Sequence, residues 1–146
     1  MAGFDVTVTP TVTNGGYSAG DIMGALLTFP TGYQGAVLIN EVSVMIKAAV
    51  TPALNLVLLT ADPSSTTKTD NAAYSLNAAD TFKVRKTIPI LTLYDHGTPN
   101  EYSSGSLNVV IQTDSSGNLY GLLIDGTGVT LTSTSDIQVR LSGIPA

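Results

Sequence analysis

The 146-residue chain sets six Lys and Arg against eleven Asp and Glu, for a net charge of −5, and it has no cysteine. Charged residues make up 12% of it, about half the globular average. The 43% hydrophobic share and the mean hydropathy of +0.27 exclude disorder, which needs low hydrophobicity. Absence of cysteine rules out disulfides and thiolate metal sites. The six cations are Lys47, Lys68, Lys83, Arg85, Lys86 and Arg140, and only Lys83, Arg85 and Lys86 lie close together. Phosphate binding relies on clustered Lys and Arg, so no nucleic-acid partner is expected, and the Lys83–Lys86 stretch reads as solvated. The length suits one domain over residues 1–146. Residues 1–12 carry neither a basic nor an apolar leader segment, and the longest apolar runs are about six residues against the roughly 20 needed to span a bilayer. Folding in a cytoplasm and no membrane partner are the expectations.

Taken in chain order, Phe4, Val6, Val8 and Val12 alternate with Asp5, Thr7, Thr9, Thr11 and Thr13, the period-2 pattern of a half-buried strand. Pro10 makes residues 1–13 an edge strand or an extended arm. After the turn at Asn14, Gly15 and Gly16, residues 22–29 form a second apolar run. Residues 36–50 are the longest strand candidate, with Ala36, Leu38, Val42, Val44, Ile46, Ala48 and Val50 facing in. Val37 and Ile39 break that parity, which calls for a bulge near Asn40 or for cover on both faces. Residues 53–60 place Leu54, Leu56 and Leu58 on one face and Val57 and Leu59 on the other. Residues 61–70 read as a loop, with Asp70 capping a short helical turn in 71–79. Residues 82–93 read as a strand bent or placed at an edge by Pro89, and residues 94–104 as a second long loop. Alternation returns at Val109 and Ile111, at Tyr120, Leu122 and Ile124, and at Ile137, Val139 and Leu141. Between the last two runs, Val129 and Leu131 read as a short strand or extended loop. About eight short strands without a long helix predict an all-β, antiparallel β-sandwich, with a jelly roll as the favoured topology.

Chemistry-bearing residues are sparse. His96 is the only histidine. It sits between Asp95 and Gly97 in a predicted loop, without the strand–Ser–helix elbow of a hydrolase, and one histidine cannot build a three-His metal site. The acids are dispersed and mostly stand beside Gly, Pro, Ser or Asn, where Asp stabilises turns. No spacing supports a Ca²⁺ site from Asp62 and Asp70 or a glycosidase carboxylate pair. The six tyrosines fall mainly near loops, where aromatics stack on sugars or anchor partners. No catalytic residue, cofactor or metal is expected.

An antiparallel sheet with one wet face shows polar residues on it, yet Val57 and Leu59, Val110, and Leu123 oppose apolar neighbours. Something covers that second face. It is either the chain itself, through residues 94–104 or the Ala-rich turn, or a neighbouring molecule. Val57, Leu59, Val110 and Leu123 are therefore the candidate oligomer or capsid interface, each burial contributing about 1.5–3 kcal/mol.

Three blocks, YSAGDIMGALLTF over 17–29, LNLVLLTADPSSTTKTDNAAYSL over 54–76 and NLYGLLIDGTGVTLTSTSDIQVRLSG over 118–143, resemble a group of small structural proteins of tailed bacteriophages taken to be head decoration, or cement, proteins. The shared pattern is a Tyr-x-x-Gly-Asp opening, an apolar strand leading to Asp-Pro, a loop ending Thr-Asp-Asn-Ala-Ala, and Thr-x-Thr-Ser-Asp before the last strand. The resemblance implies a jelly-roll-like fold, a homotrimer, binding to the major capsid protein and a place on the virion surface after synthesis in the host bacterial cytoplasm. A tail-fibre or receptor-binding carbohydrate-recognition module is the alternative.

Overall fold

Strand-period patterning without helix signals yields a structure made almost wholly of strands. The computed structural model describes residues 2–146. Its elements are β1 (Phe4–Val8), β2 (Leu27–Pro30), β3 (Ala36–Ile46), β4 (Leu54–Leu59), a 3₁₀ helix (Ala78–Lys83), β5 (Val84–Ile90), β6 (Thr92–Asp95), β7 (Asn100–Ser103), β8 (Val109–Gln112), β9 (Asn118–Asp125) and β10 (Ile137–Pro145). The larger sheet has the order β1-β10-β3-β7-β6, with β8 also pairing β3, and the smaller sheet the order β2-β9-β4-β5. Every pairing is antiparallel. The pairs are nested: β4 with β5, β3 with β7 and β8, β2 with β9, β1 with β10. A nested set of hairpins rolled into two facing sheets is the jelly roll.

One apolar core lies between the sheets. Val42, Val44, Ile46, Val139 and Leu141 from the larger sheet pack with Phe29, Leu54, Leu56, Leu58 and Leu123 from the smaller. In β3 the inward parity switches. Val37 and Ile39 are buried before Asn40, and Val42, Val44 and Ile46 after it. The β10 register steps from Ser142 opposite Glu41 to Gly143 opposite Ile39, leaving Asn40 as the extra residue. This is the expected bulge, and it turns Ala36 and Leu38 outward, contrary to the parity expected for them.

Two of the edges, β5 and β1, are protected by their residues. β5 borders the smaller sheet and carries Pro89 and two cations. Lys86 stands opposite Leu58 on the inward side, a placement that discourages further strand pairing. β1 borders the larger sheet, so residues 4–8 are an edge strand, and Arg140 makes a two-pronged ion pair across it to Asp5.

Four segments differ from the sequence expectation. Residues 22–29 form a strand only from Leu27, because Asp21 and Ile22 make isolated bridges to Ala73 and Ile124. The helical turn lies at Ala78–Lys83, capped by Asn77, since Asp70 is engaged by three donors from elsewhere. Residues 82–93 divide, because the chain passes at Leu91 from the smaller sheet to the larger. Residues 94–104 are largely the hairpin of β6 and β7, not a loop.

Candidate interaction surface

The expected interface residues separate into two groups. Val57 and Leu59 are buried with Ile22, Leu122 and Ile124 in a second, small core on the outer side of the smaller sheet. Two segments of the same chain lay this cover down. Ile22 N–H donates to Ala72 O, Asn71 N–H donates to Ile22 O, and Tyr74 N–H donates to Gly20 O. The Ala-rich stretch thus supplies part of the cover, and residues 94–104 belong to the other sheet. Leu123 lies in the main core. The face assignment in β9 is the reverse of the expected one, with Leu119 and Leu123 between the sheets and Tyr120, Leu122 and Ile124 outside. Three of the four residues are therefore intramolecular core. Val110 alone stays on the surface, 46% exposed.

The carboxylates hold loops. Asp70 accepts from Thr13 Oγ1 at 2.6 Å, Tyr17 Oη at 2.7 Å and Gly24 N at 2.6 Å, which ties three distant segments together. Buried Asp80 takes Lys83 Nζ, Thr66 Oγ1 and Ser65 N, and the Lys83 ammonium chiefly holds its carboxyl below the ordinary range. Asp114 is lowered too, first by the Tyr120 hydroxyl and then by the Asn118 and Ser116 amides. Asp136 accepts from the Thr132 and Ser133 amides, and Asp125 from Thr127. Asp62 instead pairs with Lys68 at 2.6 Å, so the carboxylates of Asp62 and Asp70 have separate partners. Among the described residues no group of three His, Cys, Asp or Glu is placed to hold a metal.

Burial pushes the Tyr17 phenol up to about 12, with the Asp70 carboxylate adding to the effect. A raised value means that the folded state keeps a proton the unfolded chain releases near 10. This contribution to stability is full below pH 10 and is lost as pH rises through about 12. Tyr74, Tyr102 and Tyr120 are raised as well. Urea midpoints measured across this range should fall, and Tyr17→Phe should flatten the decline.

His96 closes the β6–β7 hairpin, its N–H donating to Pro99 O. Its Nε2 lies 3.0 Å from Glu101 Oε2, and its ring packs at 4.6 Å on Tyr94. Both members of the pair are solvated, and such pairs contribute about 1 kcal/mol at most. An open depression of about 390 Å³ lies at one end of the larger sheet, walled by Thr9, Met45, Lys47, Ile137 and Gln138. Asp136 also borders it, with its carboxylate already held by loop amides.

What protrudes is apolar. Phe82 is 98% exposed at the end of the 3₁₀ helix, Leu91 74% and Tyr94 64%, with Leu93, Met45 and Ile144 also exposed. Leu38, Val110 and Ile144 form one row across β8, β3 and β10. Phe82 and Leu91 escaped the sequence reading because both were counted inside one strand. The available signal was Leu91, which follows Ile90 on the opposite parity at the corner between sheets. No protein-family model and no curated protein sequence matches the chain.

Proposed function

We propose that the protein is a non-enzymatic virion component of a tailed phage, a decoration protein that binds the outside of the assembled capsid as a homotrimer and stabilises it. The observation that carries this reading is the set of large apolar side chains, Phe82, Leu91 and Tyr94, held out to solvent by a rigid jelly roll. Isolated exposed apolar residues are ordinary, but a solvated Phe and Tyr of this size are the residue types that anchor interfaces. Most of the chain's carboxylates are engaged in holding its loops, which suits a scaffold that presents a surface. The resemblance of three sequence blocks to phage head proteins is part of the case for this reading. A ligand that binds only the assembled shell raises shell stability by mass action, with the major capsid protein as the partner and the capsid surface as the location.

The carbohydrate-recognition alternative needs exposed aromatic platforms. Tyr17 and Tyr102 are buried. The hydroxyls of Tyr33 and Tyr120 are bound to Ala2 O and Asp114, and Tyr74 packs on the small core. Tyr94 is left as the one exposed tyrosine among the described residues.

Purified protein mixed with undecorated capsids should co-sediment with them to saturation and raise their melting temperature. Mass spectrometry of virions should find hundreds of copies, as repeated display requires. A few dozen copies at most, or no binding to shells, would overturn the reading in favour of a tail component.

A further inference from the structure

The ion pairs among the described residues are Lys68–Asp62, Lys83–Asp80, Arg140–Asp5 and His96–Glu101. They leave Lys47, Arg85 and Lys86 without a carboxylate. Two of these three cations are adjacent, on the β5 edge, three and four residues after the protruding Phe82. Arg85 lies at the irregularity in the β4–β5 register, and its Nε donates at 2.7 Å to Val110 O on β8. The start of β5, with Phe82 just before it and Val110 bonded to Arg85, is thus an apolar, cationic corner on a chain of net charge −5.

The β6–β7 hairpin has the opposite character. Leu91, Leu93 and Tyr94 are exposed beside Asp95 and Glu101, and β6 is an open sheet edge with neither Pro nor Lys. Strand registers fix how far apart the two patches lie. Val110 pairs with Leu38 near the start of β3. Tyr94 pairs with Glu101, which pairs with Met45 near the end of β3. Seven residues of strand separate these levels, about 23 Å at ~3.3 Å per residue. The two patches cannot meet within one chain.

We infer that the occupant of each patch is a second copy of this chain: the Phe82–Arg85–Lys86 corner of one subunit docks on the β6–β7 hairpin of its neighbour. Charge complementarity selects this partner, since the corner offers unpaired cations and the hairpin carboxylates, each around solvated apolar anchors. The contact joins two different patches, so it is heterologous, and a rotation that closes it builds the ring that a homotrimer requires. Only Val110, of the residues first expected at an interface, belongs to it.

The test is sedimentation of the full chain at low salt and at concentrations well above micromolar. Wild type should sediment as a closed oligomer and dissociate as salt shortens the screening length toward ~3 Å near 1 M. Arg85→Glu with Lys86→Glu should weaken association at least ~10-fold, and so should Asp95→Lys with Glu101→Lys. The four changes combined in one chain should restore it. Phe82→Ser touches no packed neighbour and should weaken association similarly while circular dichroism and melting stay as in wild type. A monomeric wild type, or a Phe82→Ser variant and charge variants that associate normally, would overturn the inference. It deepens the homotrimer part of the capsid reading and rests on it. A monomer that still binds capsids sinks this proposal and the trimer but leaves capsid binding, an oligomer indifferent to these substitutions sinks only this proposal, and an oligomer that ignores capsids sinks only the capsid role.

Discussion

Leu123→Ser is expected to destabilise the isolated chain by about 4–5 kcal/mol, a large part of the roughly 5–15 kcal/mol available to a domain. Leu123 is fully buried between the sheets, on the face of β9 that meets Leu56 and Phe29. Truncating a core Leu costs about 2–5 kcal/mol through lost transfer energy and the cavity left behind. The new hydroxyl adds to this because no polar partner stands near it in an apolar core. Leu59→Ser should cost less, about 3 kcal/mol, because the small core beneath residues 20–26 and 69–74 is covered by loops that can settle into the gap. Val110→Ser should stay within about 0.5 kcal/mol, as a surface change does. Urea unfolding of the three variants orders them. If Leu123→Ser or Leu59→Ser melted like wild type and lost only self-association, the two-core arrangement would be wrong and the residues would face a neighbour after all.

The contrast between these residues shows what was legible in the chain. Alternation in Val109 and Ile111, and in Ile137, Val139 and Leu141, carries a single face and was readable. The Asn40 bulge was readable for the same reason, because Val37 and Ile39 sit on the wrong parity for Val42 and Val44. Leu122, Leu123 and Ile124 are apolar without a break, so periodicity cannot choose their face. The deciding feature there is Gly121. A methyl group on it would stand 3.0 Å from both Leu56 Cδ1 and Phe29 Cε2, which marks its face as the one pressed against the core. The loops were the least legible part. Asp70 looked like a local helix cap, whereas its partners Thr13, Tyr17 and Gly24 lie 46 to 57 residues away in sequence. No short window contains that information. The candidate surface was missed for a related reason, since Phe82, Leu91 and Tyr94 are exposed by where the chain changes sheets and not by any local pattern.

Gly143→Ala should cost about 3 kcal/mol, the upper end of what overpacking by one methyl does. Gly143 lies where the β10 register slips past the Asn40 bulge and faces Ile39. Its added Cβ would stand 2.4 Å from Leu38 O and 2.7 Å from Phe4 Cζ. Neither neighbour can retreat freely. Leu38 stands between Ile144 of β10 and Val110 of β8, so moving its carbonyl disturbs the centre of the larger sheet. Phe4 is held between the sheet and the tilted ring of Tyr33, 6.1 Å away. Gly20→Ala provides the comparison. At φ +94 with nothing within 4 Å, it meets backbone strain alone, about 1 kcal/mol. Because β1 pairs only with β10 in the sheet, the Gly143 variant should first release that edge, visible as early hydrogen exchange at Val6 and Val8, whose partners in β10 are Leu141 and Val139, ahead of β3. A Gly143→Ala chain as stable as Gly20→Ala, with β1 still protected, would show that β10 and β3 do not approach as closely as described.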